Sequence, residues 1–249
     1  MKPSVELDIA LEEKMQIRME NNSKENDLAE MRKEFSANVS HELKTPLTSI
    51  SGYAEIIMNG IARPEDIPIF AERIFKESKR LLALIDDIIR LSHLDEGNIE
   101  SVKERLNLNE LCLEVIGRLS SQAEKKNIKV TLDGERVSYL GIRHLIDEMI
   151  YNLCDNAIKY NREDGEVEVW VGRSKEGVLL SITDTGIGIS SDHYERIFER
   201  FYRIDKSHSK ETGGTGLGLS IVKHICALHN GRIQVESQIG EGTKINVWL

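Results

Sequence analysis

Apolar residues return every three or four positions from Phe35 to Ile57, and this period limits the possible folds more than any other feature of the chain. Phe35, Val39, Leu43, Pro46, Leu47, Ile50, Ala54 and Ile57 fall within an arc of about 120° on a helix. A second helical pattern follows at Phe70, Ile74, Leu81, Ile85, Ile88 and Leu91. Asn59, Gly60 and the Arg63-Pro64 pair between them are turn chemistry. The two patterns predict an antiparallel helical hairpin. Two helices bury little, so the stripe is better covered when two hairpins pair into a four-helix bundle. A homodimer through the hairpin is therefore the physical expectation. Upstream, Met1 to Asn22 is dense in Glu, Lys and Arg, with Val5, Ile9, Leu11, Met15 and Met19 interspersed. It reads as helical. Its irregular heptads leave both a coiled-coil entry segment and a solvated lead-in helix open.

After Gly97 the pattern turns from helix-only to mixed α/β. Ile128 to Leu132 and Glu166 to Val171 alternate as strands do, and Val178 to Ile182 is a short apolar run. Leu108 to Lys125, Arg143 to Tyr160 and Leu217 to His229 read as helices. Gly231 to Ser237 and Thr243 to Leu249 would close the chain as a hairpin, with Gly240 and Gly242 near its turn. The expectation is a multidomain chain: a linker or signalling helix over 1–30, an all-α hairpin over 31–96, and an α/β sandwich over 99–249.

A net charge of -9 argues against a nucleic-acid surface, where clustered Lys and Arg are expected. Cys112, Cys154 and Cys226 are far apart and form no CxxC pair, which suits a reducing compartment and gives no metal framework. No run approaches the roughly 18 consecutive apolar residues of a membrane helix. Met1 to Ala10 lacks the apolar core of a signal peptide. The sequence reads as cytoplasmic, with any membrane attachment through a segment that it does not contain.

Five segments carry chemistry. Phe35 to Leu47 reads FSANVSHELKTPL. On this helix His41 lies about 180° from the centre of the apolar arc and so faces solvent. Thr45, four residues on, shares that face one turn away. Glu42, beside His41, can accept the proton of one ring nitrogen and fix the tautomer, leaving the other nitrogen free to attack. A zinc reading of the His-Glu pair fails because Thr45 stands where HExxH needs its second His. Pro46 lacks an N–H and is expected to kink the helix.

Asn152 to Tyr160 reads NLCDNAIKY, and Asn152 and Asn156 share a helix face. Their amide oxygens suit Mg²⁺, and Lys159 and Tyr160 follow closely enough to touch phosphate. Asp184 to Ile189, DTGIGI, follows an apolar strand, and Gly186 and Gly188 permit close backbone approach to a ligand. Ile197 to Arg203 reads IFERFYR. Gly213 to Leu219, GGTGLGL, opens a helix, so its backbone N–H groups make an anion site. It is no P-loop, because no GK[ST] ends it. The spacing of Gly214, Gly216 and Gly218 lies between helices and not after a first strand, so it is no dinucleotide fingerprint either.

SHELKTPL resembles the H-box of sensor histidine kinases of two-component systems, of the PhoR-like kind. Behind it, the N-box (NLCDNAIKY), the DTGIGI turn, the F-box (IFERFYR), the G2 box (GGTGLGL) and a G3-like turn at Gly240 to Thr243 follow in that family's order. The resemblance runs from about Met31 to Leu249. It implies a dimeric hairpin followed by an ATP-binding domain of the GHKL, or Bergerat, type. It implies that ATP with Mg²⁺ phosphorylates His41, that Glu42 assists proton transfer, and that an Asp of a response regulator receives the phosphoryl group. It further implicates Thr45 in dephosphorylating the regulator by orienting a water. Asn152 would be the Mg²⁺ ligand, with Glu148 holding a metal-bound water. Asp184 would accept the exocyclic amine of adenine, with Gly186 and Gly188 against the base. Lys159, Tyr160, Arg203 and the segment Gly214, Thr215, Gly216, Leu217 and Gly218 would meet the phosphates. Lys206, Ser207, His208 and Lys210 would lie in a lid that orders over the nucleotide, and a flexible join near Glu96 to Asn98 would let the ATP domain reach His41.

Other ATPases of that superfamily lack a phosphoacceptor hairpin in front, which Phe35 to Leu47 supplies. A non-catalytic dimeric scaffold or anti-sigma-type regulator would not need His41, Asn152 and Asp184 together. The stimulus, and whether transfer occurs within or across subunits, stay open. One departure from the family is Ile142, where relatives often carry Asp. The position opens a helix, and losing a side-chain cap there costs about 1 kcal/mol.

Overall fold

The computed structural model describes residues 30, 33–95, 102–204 and 214–249. The expected signalling helix ahead of residue 30, the join at Glu96 to Asn98, Lys206, Ser207, His208, Lys210 and Gly213 lie outside the described residues. The chain divides into two compact units, one ending at Leu81 and the other spanning Leu82–Leu249.

The first unit holds helix α1, residues 33–58, and the beginning of helix α2, Ile67–Asp95. The turn between them uses Gly60 at φ +65, a left-handed conformation that glycine adopts without a Cβ penalty. Helix α1 continues through Pro46, which is buried. Tyr53 stacks on Phe70 at 5.4 Å between ring centroids, and the Tyr53 hydroxyl accepts a 2.7 Å bond from Arg73, so the hairpin is pinned near its turn. Leu47 and Ala54, expected inside the apolar arc, are exposed in the single chain. They lie at the arc's edge, beyond what one partner helix covers.

The second unit is a two-layer α/β sandwich. Strands β1 (Glu104–Asn107) and β3 (Ser138–Gly141) form a small antiparallel pair. The main sheet runs β2-β4-β5-β7-β6, formed by Lys129–Gly134, Glu166–Ser174, Gly177–Asp184, Gly242–Trp248 and Arg232–Gln238. Among the described residues, only the β2–β4 pairing is parallel. Helices α3 (Leu108–Lys125), α4 (Arg143–Lys159) and α5 (Gly218–Leu228) cover one face, with α4 between the other two. The strand alternation explains which face: Val167, Val169 and Val171 of β4 are fully buried, while Glu166 and Glu168 are exposed. Across the layer Met149, Ile150 and Leu153 of α4 and Ile221, Val222 and Ile225 of α5 complete the core. The last turns of α2 belong to this unit, burying Leu84, Leu91 and Leu94.

Within the described residues the elements read from periodicity are present within a residue or two, except that β4 runs three residues past Val171 and α2 extends three residues before Phe70 and four past Leu91. The β1–β3 pair was not anticipated from the sequence. Its strands have four residues each, too few to show a period of two.

Candidate functional site

In the hairpin unit the His41 side chain is 80% exposed, on the outer face of α1. Its Nδ1 lies 3.8 Å from Glu42 Oε1, and Arg80 Nη2 approaches the other Glu42 oxygen at 3.9 Å. Arg80 is itself 15% exposed, so the carboxylate beside His41 is held by a sheltered cation from α2. No sequence motif had marked Arg80. The exposed Thr45 hydroxyl donates to the His41 carbonyl at 3.2 Å, placing it one turn along the same face.

In the sandwich, α4 delivers Asn152, Asn156, Lys159 and Tyr160. Asn152 Nδ2 donates to the Glu148 carbonyl at 3.0 Å, which leaves Oδ1 as an acceptor. That oxygen faces the start of α5: a Cβ added to Gly218 would sit 2.8 Å from it. Leu217 offers no side-chain cap, so it takes none of the first N–H groups of α5 itself. An amide oxygen facing a helix N-terminus fits a hard cation that retains waters and shares phosphate oxygens. The Glu148 carboxylate, 14% exposed, pairs with Arg90 at 3.1 Å. Burial raises its pKa, and Arg90 partly offsets the rise. Among the described residues no trio of His, Cys, Asp or Glu forms a metal cluster.

The glycine-rich segment lies against the end of α4. A Cβ on Gly214 would meet Lys159 Nζ at 2.9 Å and the Tyr160 hydroxyl at 3.3 Å. The Thr215 hydroxyl accepts from Leu217 N at 3.2 Å and donates to Asp87 of α2 at 2.7 Å. Gly216, at φ +76, abuts the backbone of Phe201 and accepts its N–H at 2.9 Å. Phe201 itself sits at φ +63. That conformation costs a bulky residue about 1–2 kcal/mol, and such strain concentrates at functional segments. Arg203, half-buried, follows two residues later.

Asp184 closes β5 opposite. Its Oδ1 accepts N–H bonds from Gly186 at 2.8 Å and Thr243 at 3.2 Å. Burial pushes the carboxyl up to about 6, against the pull of those two donors. Around it the backbone is tight. A Cβ on Gly186 would fall 2.4 Å from the Tyr160 carbonyl, and one on Gly242 would fall 1.9 Å from the Asp184 carbonyl. Gly188, at φ +69, is pressed against the Gln238 carbonyl in the same way. Asn152, Lys159, Tyr160, Asp184, Gly186, Gly214 and Gly218 thus lie in one neighbourhood, where α4, the β5 end and the α5 N-terminus meet. It offers a carboxylate at one end and amide N–H groups with a lysine at the other, which suits a base at one end and phosphates at the other. Lys126 and Asn161, which brace the end of α4, lie outside every motif, whereas Thr185, which bonds to Asn161, belongs to DTGIGI.

This pairing of an exposed-histidine helical hairpin with a sandwich of this kind defines a class. Residues 31–97 match the His Kinase A (phospho-acceptor) domain, and residues 141–249 match the histidine kinase-, DNA gyrase B-, and HSP90-like ATPase domain. The chain belongs to the sensor histidine kinases of two-component systems. It is 41% identical over 217 residues to the sensor-like histidine kinase SenX3 of Mycolicibacterium smegmatis, covering 85% of this chain and 56% of that protein. It is 36% identical over 230 residues to the sensor protein kinase WalK of Staphylococcus aureus, covering 88% and 53%. The chain spans about half the length of these curated relatives. Histidine kinase AdeS of Acinetobacter baumannii shares the fold with a TM-score of 0.69 at 23% identity, covering 83% of this chain and 95% of that one. Full-length ShkA in complex with AMPPNP matches with a TM-score of 0.63 at 27% identity, covering 86% and 45%.

Proposed function

We propose that the chain uses ATP to phosphorylate His41 and passes the phosphoryl group to an Asp of a response regulator. The observation that carries this reading is the exposed His41 ring beside the Glu42 carboxylate, in a chain that also holds the glycine-lined space around Asp184. A carboxylate facing Nδ1 favours the tautomer protonated there, so Nε2 presents its lone pair to phosphorus. A P–N bond then forms at Nε2 as the bond from the γ-phosphorus to the bridging oxygen breaks, and ADP departs with that electron pair. The Nδ1 proton passes to Glu42 or to solvent. Phosphoryl transfer asks for in-line approach and charge neutralisation more than covalent help.

Asp184 accepts the adenine amine through the oxygen not used by Gly186 and Thr243, and Lys159, Tyr160, Arg203 and the α5 N-terminus hold the phosphates. Asn152 is the protein ligand for a Mg²⁺ ion, which neutralises charge on the phosphate oxygens when bound. The pairing of Glu148 with Arg90 limits it to a contact through water. The bound ATP analogue of ShkA supports the nucleotide reading. We read 31–96 as a phosphotransfer hairpin that pairs with a second copy, and 99–249 as the ATP-binding domain. Dependence on ATP and three unpaired cysteines fit the cytoplasm.

Incubation with γ-labelled ATP and Mg²⁺ tests this. Wild type should gain an acid-labile label and His41→Gln none; label retained in the variant means that another residue is the acceptor. Thr45, on the His41 face one turn away, favours a second activity, hydrolysis of the regulator's phospho-Asp. Thr45→Ala should lose that hydrolysis while keeping autophosphorylation, and unchanged hydrolysis would remove the role.

A further inference from the structure

The turn that ends α4 connects both halves of the nucleotide space, and it is gripped from behind by a lysine outside every motif. Lys126 follows α3. Its ammonium donates to the carbonyl of Lys159 at 2.5 Å and to that of Ile158 at 3.3 Å, and lies 3.5 Å from that of Asn161. The Ile158 and Lys159 carbonyls belong to the last turn of α4, where helix geometry provides no i+4 N–H, and a cation there also complements the helix dipole. The grip is returned, because Asp164 N donates to the Lys126 carbonyl at 3.1 Å.

On its far side the same turn holds the loop after β5. Asn161, 7% exposed, donates through Nδ2 to the Glu166 carbonyl at 3.0 Å. Its Oδ1 accepts from Arg162 N at 3.0 Å and from the Thr185 hydroxyl at 3.2 Å. Thr185 Oγ1 in turn accepts from Glu166 N at 2.9 Å. One residue earlier, the Tyr160 carbonyl accepts from Ile187 N at 3.1 Å, with Gly186 pressed against it. Residues 158–161 are therefore held between Lys126 and residues 185–187. Their position sets the distance between the Lys159 and Tyr160 side chains and the Asp184 carboxylate.

We propose that Lys126 is a positioning residue for nucleotide binding. By fixing the carbonyls at the end of α4 it holds the phosphate side and the base side of the space at one separation. The proposal rests on the reading of this space as the ATP site. Lys126 touches no reacting group, so its loss should weaken nucleotide binding without slowing transfer once the site is filled.

The test uses the full chain with Lys126→Met, which keeps the aliphatic stem, and Lys126→Arg, which keeps the donors. Lys126→Met should weaken ADP binding in calorimetry and raise the KM for ATP by about tenfold, the scale of a lost charge-assisted hydrogen bond. The rate at saturating ATP should stay within about twofold of wild type, the pattern of lost ground-state binding. The amide hydrogen of Ile187 should exchange faster, and Lys126→Arg should recover most of the affinity. Should Lys126→Met fold poorly, Thr185→Val loosens the other side of the same turn and should show the same KM-selective loss. A variant that melts earlier yet binds ADP like wild type, or one that loses saturated rate as much as affinity, overturns the proposal. Wild-type protein that binds no ADP would instead sink the ATP reading itself, and this proposal with it.

Discussion

Burial lifts the Asp184 carboxyl to about 6, even though two backbone N–H groups favour its ionised form. Because the folded value exceeds the ordinary 3.8, the stability linked to this group is full below 3.8 and lost as the pH rises through about 6. At neutral pH the ionised side chain is thus a burden on the nucleotide-free fold, carried because an anionic acceptor recognises the base. Asp184→Asn keeps an oxygen for Gly186 and Thr243. It should leave the thermal midpoint at neutral pH unchanged or higher, while ADP affinity falls about 10- to 100-fold, as expected for a lost hydrogen bond to a charged group. In wild type, ADP affinity measured by calorimetry should weaken as the pH drops below about 6, and in the variant that dependence should vanish. Asp184 was legible in the sequence because DTGIGI joins a strand end to two glycines. Its second donor was harder to see, since Thr243 lies 59 residues away and reaches it only through the pairing of β5 with β7. Lys126 and Arg80 left no trace in any motif, because each acts through a contact that the fold alone creates.

Helix α4 shows how a neighbouring element can anchor a helix start that has no side-chain cap. Ile142 stands at its N-cap without a side-chain acceptor. The N–H of Ile142 is instead bonded to Nε2 of the buried His229 at 3.2 Å. Nδ1 of that ring donates to the Ile225 carbonyl at 2.8 Å, so His229 must be neutral to serve both. Burial lowers its pKa below the ordinary 6.5. A depressed folded value means that the contribution is whole above 6.5 and fades as the pH falls toward the folded value. Denaturant unfolding should therefore show stability declining by about 1 kcal/mol below that pH, and His229→Gln, which keeps an acceptor that does not titrate, should flatten the decline. The sequence revealed the absent cap at Ile142. The His229 contact, 87 residues on, arises only where α5 packs beside α4. The long helices and the alternating strands were readable because burial on one face imposes a period. The four-residue strands β1 and β3 carry too few turns of the pattern to register.

At the scale of the whole molecule, the hairpin leaves large apolar side chains in water. Leu47 is 54% exposed and Phe75 62%. Exposed apolar side chains on an amphipathic hairpin point to an interaction surface, and a second hairpin is the partner that the spacing of the pattern anticipates. Sedimentation should give twice the 28.3 kDa chain mass for wild type, and Leu47→Lys should shift the protein toward monomer. A wild-type monomer at micromolar concentration would remove the paired-hairpin reading. The apolar period announced this surface but could not say which residues a single chain leaves uncovered, since that depends on how far one helix shields the next. The most direct test of the central claim is mass-spectrometric mapping of the phosphorylated residue, at neutral pH, after brief exposure to ATP and Mg²⁺. The account predicts phosphate on His41 in wild type and almost none in Asp184→Asn. Phosphate on any other side chain, or full occupancy of His41 in that variant, would contradict it.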